Sequence, residues 1–373
     1  MNDIFIVIND LKTGGAQNTL KRILPTLSNI YKIKIFTFFD LGIVGNELKD
    51  SGYEIIILNV DNPLKLINSI ITYVNYLIKV KPKLIISFLY FSDFFSGIIS
   101  KIVLGSKTKI YWNIRNDLLK LSQTGKLTYF ISRLNSKISK LIPFKIVYCS
   151  DNSKITHEGI GYDNTKSLVC VNNIDLNEYI FSVQSRKIFR IKYKIEEKTI
   201  LFGMACRYDK IKNIPLFIES IYHYFSNKKH EKNVKFIISG ENIDQSNLEL
   251  INSIKKLKLD DSIILAGYIT NMKMFYSAID CLVVTSLSEG SPNVIYEALA
   301  SGAFCISSNC SPSLKLLDTN LLIINDFLPQ SFSDLFHFYV NKQTELFNLR
   351  IENRNESIPS NYIHNLANLY INL

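Results

Sequence analysis

Short runs that are apolar on both alternating faces take turns with longer amphipathic stretches from Asp3 onward, and the pattern begins afresh at Thr199. A strand with two apolar faces must be covered on both sides, so these runs predict parallel sheets layered with helices. In the first half the strands read as Asp3–Asn9, Lys32–Phe38, Glu54–Leu58, Lys83–Phe88, Lys109–Trp112, Lys145–Cys149 and Ser167–Val171. Helices are expected between them, among them Leu64–Val80, Asp93–Leu104 and Ser153–Gly159. In the second half, strands at Thr199–Ala205, Val234–Ser239, Ser262–Ala266 and Asp280–Val284 alternate with helices at Pro215–Phe225, Asn247–Leu257 and Met272–Ala278. Residues from Leu176 to Glu197 lack a strong β pattern and hold the charged run Arg186–Lys194, which places a hinge there. The expected fold class is α/β, with two doubly wound parallel-sheet domains; a length of 373 residues suits two such domains.

The charge is uneven. Up to residue 180 there are 22 basic and 14 acidic side chains; the remainder has 21 and 19, so the first half carries most of the net +10. No nucleic-acid motif is present and the aromatics are not interleaved with the basic residues, so no nucleic-acid partner is expected. An anionic membrane surface or a pyrophosphate-bearing acceptor accounts for the asymmetry. Within Leu118–Phe144 the apolar residues Leu119, Leu127, Phe130, Ile131, Leu134 and Ile138 recur at mostly helical spacing, with Lys120, Lys126, Arg133, Lys137 and Lys140 between them. No acidic side chain joins them. Such a segment either lies on anionic lipid or forms a surface helix of the domain. Leu84–Leu104 is long and apolar, but Asp93 and Lys101 inside it favour a buried strand followed by a helix over a membrane span. Met1-Asn-Asp leads directly into a strand, so no signal peptide is expected. The six scattered cysteines form no Cys-x-x-Cys pair and read as buried reduced thiols rather than zinc ligands.

The chemistry concentrates in Thr285–Gly302. An apolar run, Cys281–Val284, precedes it and another, Ala303–Ile306, follows. Between them a short helix is expected, with Ser291 as N-cap, Pro292 at the first helical position and Gly302 just past the end. Val294, Ile295, Ala298 and Leu299 share one arc, while Asn293 and Glu297 point off it. Glu289 lies in the loop before the helix, so two carboxylates flank a helix N-terminus. Unpaired amides there suit a phosphate, and carboxylates beside them suit hydroxyl groups. A diphosphate between two polyols, a nucleotide sugar, satisfies both.

Other loops fit the same ligand. Arg207 and Lys212 follow the strand Thr199–Ala205 and offer a guanidinium fork and a point charge to a diphosphate; the alternative is a solvated basic loop. Gly14 and Gly15 make a glycine turn between the first strand and helix, which is neither the dinucleotide fingerprint nor a P-loop. Arg115, Asn116 and Asp117 end a strand, where the ligand crevice of an open α/β sheet lies, or form a solvated loop with an Asx turn. His157 reads as a satisfied helix histidine.

Glu289-x7-Glu297, within Ser-Glu-Gly-Ser-Pro-Asn-Val-Ile-Tyr-Glu-Ala-Leu-Ala-Ser-Gly, resembles the signature of family 4 (group 1) retaining glycosyltransferases of the GT-B fold, polysaccharide-assembly type. Gly14-Gly-Ala-Gln17, Asn172-Asn-Ile-Asp175 and Arg207-x4-Lys212 are similar to further motifs of that family, in the same order. The resemblance implies two Rossmann-like domains facing each other across a cleft: residues 1–178 for the acceptor and 179–356 for the donor, with a C-terminal helix in 357–373 packing back on the first. It implies transfer from a UDP- or GDP-linked sugar to an oligosaccharide or lipid-linked acceptor in O-antigen or capsule assembly, without a metal or cofactor. Arg207, Lys212 and Glu289 would be catalytic, the two cations neutralising the leaving diphosphate in place of a metal. Gly14, Gly15, Gly240, Gly290, Ser291, Pro292, Asn293, Val294 and Glu297 would bind the donor, Glu297 at the ribose.

One departure concerns the acceptor side. Relatives often carry a histidine where this chain has Trp112-Asn-Ile-Arg-Asn-Asp117, so Arg115 and Asn116 are the candidates there. The expected location is cytoplasmic, either free or peripheral on the inner membrane through the basic 118–145 region. A nucleotide-sugar epimerase of the same architecture and a catalytically silent scaffold are the competing readings.

Overall fold

The computed structural model describes residues 2–39, 41–60, 62–117, 125–172, 178–226, 233–317, 320–352 and 366–371. The elements run β1 (Asn2–Ile8), α1 (Gly15–Ser28), β2 (Tyr31–Thr37), α2 (Gly42–Asp50), β3 (Glu54–Ile57), α3 (Pro63–Val80) and β4 (Leu84–Phe88). Next come α4 (Tyr90–Leu104), β5 (Lys109–Ile114), α5 (Lys126–Ile138), β6 (Lys145–Tyr148), α6 (Asp151–Gly159) and β7 (Ser167–Val169). After α7 (Val183–Lys192) follow β8 (Ile200–Ala205), α8 (Ile214–Ser226), β9 (Val234–Ser239), α9 (Leu248–Lys256), β10 (Ile263–Leu265) and α10 (Met272–Ala278). The chain continues with β11 (Cys281–Val284), α11 (Asn293–Ala300), β12 (Phe304–Ser308), β13 (Leu321–Ile324), α12 (Pro329–Glu352) and α13 (Leu366–Ile371). Two compact units result: Met1–Asn173 with His364–Leu373, and Ile174–Ile363.

The first unit holds an all-parallel sheet in the order β3-β2-β1-β4-β5-β6-β7. Strand period sorts β1 cleanly. Ile4, Ile6 and Ile8 face α1, α2 and α13, while Phe5 and Val7 face Tyr73 and Leu77 of α3, Phe95 of α4 and Ile131 of α5. Both faces are dry, as the apolar runs require. The C-terminal α13 belongs to the first face: Leu366, Ala367 and Tyr370 are buried, and the Tyr370 hydroxyl donates to Asn113 Oδ1.

The second unit repeats the scheme with the order β10-β9-β8-β11-β12-β13. One face packs Phe202 and Phe236 against Phe217 and Tyr224 of α8 and Phe336 of α12. On the other, Gly203 lets α10 approach: a Cβ there would stand 2.6 Å from Ile279. In both sheets the strand order reverses beside the first strand, between β1 and β4 and between β8 and β11. That reversal opens a crevice at the carboxyl ends, where open α/β sheets bind ligands.

Three local expectations are corrected. The stretch read as a hinge contains α7, whose amphipathicity is inverted: Arg186 and Arg190 are buried and Val183, Ile188 and Ile191 exposed. Both guanidiniums pair with buried Asp280 at 2.8 Å, and Asp280 also accepts the Leu201 amide. In α5 the buried face is Ile131, Ser132, Asn135 and Ser136, so Leu127 and Phe130 face outward with the lysines instead of opposing them. Helix α11 begins at Asn293 with Pro292 as N-cap, one residue later than expected, and no side chain caps it. Leu84–Leu104 is strand β4 followed by α4, and among the described residues no helix is long and apolar enough to cross a membrane. Residues 118–124 of the basic region and 173–175 of the Asn172–Asp175 turn lie outside the described residues.

Candidate active site

In the second unit, the loops leaving β8 and β11 meet at the point of strand-order reversal. After β8 the chain passes Arg207 and a 3-10 turn, Lys210–Lys212, where the Ile211 amide donates to the Asp209 carboxylate. Asn213 then takes a left-handed conformation, φ 50°, before α8. After β11, the Thr285 hydroxyl donates to the carbonyls of Lys212 and Asn213 at 3.0 Å, and the Leu287 amide to that of Ile211 at 2.8 Å. These bonds lock the two loops in register.

Lys212 and Glu289 are thereby brought together. Lys212 Nζ lies 2.5 Å from Glu289 Oε1, and Ser286 Oγ donates to the same oxygen at 2.7 Å. Burial disfavours the Lys212 ammonium, but the adjacent carboxylate outweighs it, and the lysine pKa lies above its ordinary value. The side chains remain 22% and 15% accessible, so a ligand can reach both. Arg207 is exposed and makes no ion pair among the described residues, yet is close enough to oppose the Lys212 charge. Burial pushes the thiols of neighbouring Cys206 and Cys310 up to about 12, so both stay neutral.

Further sequence-predicted donor residues lie in this unit, while Gly14 and Gly15 lie in the first. Ser308 donates to the Ser286 carbonyl at 2.6 Å, and the Glu289 amide donates to the Cys310 carbonyl at 2.8 Å, fixing the loop from β12. Gly290 and Pro292 are buried, and Val294 is half-buried. Ser291 Oγ and Asn293 Oδ1 are buried atoms without hydrogen-bond partners, an arrangement that native interiors avoid unless a ligand or water completes it. Glu297 is almost fully buried and accepts from the Tyr276 hydroxyl at 2.7 Å. Gly240 is sterically required: at φ 151° a Cβ would fall 1.6 Å from the Cys206 carbonyl oxygen.

The first unit uses its strand ends differently. Arg115 Nη1 donates to the Cys170 carbonyl at 2.8 Å and reaches Asn172 Oδ1 at 3.4 Å, while Nη2 donates to Asn113 Oδ1 at 2.9 Å. The guanidinium ties β5 to the segment after β7, and through Asn113 to Tyr370 of α13. The Asn116 carbonyl accepts from Ser153, and Asp117 accepts from Asn152 at 2.6 Å. Gly14 is extended, φ 168°, and a Cβ would meet only the amide tip of Gln17; Gly15 opens α1, which no side chain caps. His157 is buried, donating from Nδ1 to the Ser153 carbonyl at 2.6 Å and accepting at Nε2 from Tyr90 at 2.6 Å.

Sequence reasoning missed Ser286 and Tyr276. Ser286 sits inside the motif, three residues before Glu289, and a loop offers no periodicity to single it out. Tyr276 is 21 residues from Glu297 and only the folded structure joins them.

Residues 197–336 match the family model described as Glycosyl transferases group 1. Among curated proteins, the O-antigen biosynthesis glycosyltransferase WclY of Escherichia coli is 26% identical over 176 residues, 47% of this chain and 46% of that protein. The UDP-Gal:alpha-D-GlcNAc-diphosphoundecaprenol alpha-1,3-galactosyltransferase of Escherichia coli is 25% identical over 183 residues, covering 48% and 44%. The chain spans about half the length of these curated relatives. Among solved structures, Anabaena Alr3699/HepE in complex with UDP-glucose superposes with a TM-score of 0.84 at 16% identity over 100% of both chains, a likeness of fold that identifies the architecture as GT-B.

Proposed function

Residues 197–336 match the group 1 glycosyl transferases, and on that premise we propose that the chain belongs to this family and moves a sugar from a nucleotide-diphosphate donor to a lipid-linked glycan acceptor with retention at the anomeric carbon. The observation that carries this reading is the Lys212–Glu289 pair, seated with Ser286 at the strand-order reversal of the second unit. Lys212 and exposed Arg207 neutralise the diphosphate as the bond between the anomeric carbon and the phosphate oxygen breaks, and no metal is needed. Glu289, freed from Lys212 when the diphosphate arrives, holds sugar hydroxyls, and Glu297 holds the ribose. The acceptor hydroxyl attacks the face the leaving group vacates, and its proton passes to the departing phosphate oxygen.

Neither carboxylate acts as a nucleophile in this scheme. Ser291, Asn293 and the uncapped amides of α11 serve the donor sugar and phosphate. UDP is the favoured base, since UDP appears in the names of the galactosyltransferase relative and the superposed complex. The acceptor class follows from the O-antigen and diphosphoundecaprenol relatives, with the protein peripheral on an anionic membrane through its basic 118–145 region. The test is UDP release from candidate UDP-sugars with and without a lipid-diphosphate glycan. Acceptor-dependent release is expected; release of donor sugar in epimerised form identifies an epimerase, and no turnover with any donor identifies a scaffold.

A further inference from the structure

Helices α3, α4 and α5 pack side by side on one face of the first sheet, sharing the core around Phe5, Trp112 and Ile146. Their outward surfaces break the usual rule for a solvated layer. Helix α3 buries Tyr73 and Leu77, yet Leu64, Ile67, Ile71 and Ile78 project the opposite way and are 76%, 54%, 53% and 55% exposed. Their spacing of three, four and seven places them in one stripe along the helix. Ile102 at the end of α4 is 78% exposed. Leu127 and Phe130 of α5, and Leu141 beyond it, are 71%, 60% and 72% exposed. Eight strongly exposed apolar side chains thus lie on or just beyond three adjacent helices, a clustering of the kind that marks an interaction surface.

Charge selects the occupant. The exposed charges on this layer are all cations: Lys65 and Lys79 on α3, then Lys126, Arg133 and Lys137 on α5, with Lys140 following. The one acidic side chain on the three helices, Asp93, is fully buried, hydrogen-bonded by Ser87 at 2.5 Å, and its carboxyl pKa is pushed well above the ordinary value by burial. Acidic side chains return only on α6, with Asp151 and Glu158. A second copy of the chain would set cations against cations. An anionic bilayer instead supplies phosphates to the lysines and hydrocarbon to the leucines and isoleucines.

We propose that the outer surface of α3, α4 and α5 is one membrane-docking face, lying flat on anionic lipid with the α3 stripe inserted at the headgroup–acyl boundary. This rests on, and enlarges, the peripheral attachment assigned above to the basic segment; what is new is that α3, which carries only two lysines, supplies the apolar half.

The experiment is co-sedimentation of the full chain with mixed phosphatidylglycerol/phosphatidylcholine vesicles and with phosphatidylcholine alone. Binding to the mixed vesicles, weakened by salt, is expected. Ile67→Ser/Ile71→Ser/Ile78→Ser should lower the partition coefficient roughly tenfold or more. The thermal transition should be unchanged, because the stripe lies outside the core. Lys137→Gln/Lys140→Gln should weaken binding mainly at low salt. Undiminished binding of the α3 variant overturns the proposal, as does the absence of binding to either vesicle. A dimer in solution that the α3 variant splits, without vesicle binding, assigns the stripe to a second copy and also overturns it. UDP binding measured without lipid reads the donor site by itself, so failure of one reading leaves the other standing.

Discussion

The two units share a strand order and place cations at the same end of their sheets, yet use them in opposite ways. In the second, Lys212 is opposed by a carboxylate, and both groups remain reachable from solvent. In the first, Arg115 is buried and bonded to neutral oxygens, the carbonyl of Cys170 and the amides of Asn172 and Asn113. A buried cation with several fixed acceptors, its Nε alone left without a partner, is placed to act as a strut. A charged residue at a carboxyl-end loop is therefore evidence of a site only when its counter-charge is displaceable.

The largest effects test that contrast directly. Lys212→Ala should lower kcat for transfer about 100- to 1,000-fold, the scale of removing one preorganised stabiliser of developing charge, with the thermal transition of the protein retained. Arg115→Ala should do the reverse. It strips charge-assisted bonds from buried oxygens and loosens the tie to α13, at a cost of about 4 kcal/mol, read by urea unfolding. If Arg115→Ala folds like the parent but is inactive, the arginine contacts substrate and the distinction between the units collapses.

How much of this was legible follows the same line. The strands could be read because burial on both faces leaves an unbroken apolar run, as in Ile4–Ile8 and Cys281–Val284. The candidate motif around Glu289 and Glu297 could be singled out because its residues lie close in sequence. Helix α7 could not: its buried face is Arg186, Phe189 and Arg190 around Asp280, so the apolar periodicity points the wrong way. The buried side of α5 was not legible for a related reason, since small polar residues, Ser132 and Asn135, pack inward while Leu127 and Phe130 face out. Contacts between distant segments, Tyr276 on Glu297 and Tyr370 on Asn113, leave no local trace at all.

Acid should separate the units next. Burial pushes His157 of the first unit down to about 4, from an ordinary 6.5. The unfolded chain therefore binds a proton in this interval that the folded chain refuses, so the associated stability is present above pH 6.5 and is lost as pH falls toward 4. The shift corresponds to about 3 kcal/mol. A proton on Nε2 would also meet the Tyr90 hydroxyl that now donates to it. Comparing the pH slope of unfolding with that of His157→Gln isolates this residue from the other buried groups. Equal slopes between pH 6.5 and 4 would falsify the assignment of the neutral histidine.

The smallest effect sharpens the contrast from inside the second unit. Tyr276 is fully buried and its hydroxyl donates to Glu297 Oε2, so it resembles the struts of the first unit while touching a residue assigned to the ligand. If it positions the carboxylate for the ribose, Tyr276→Phe should raise the donor KM about fivefold, about 1 kcal/mol of lost binding, with kcat unchanged because the bond exists before and during transfer. Lys212→Ala should move kcat instead, since its charge matters most as the leaving group forms. A Tyr276→Phe variant that is less stable but has the parental KM makes this hydroxyl a strut like Arg115, and confines the exchangeable part of the second unit to Arg207, Lys212 and Glu289.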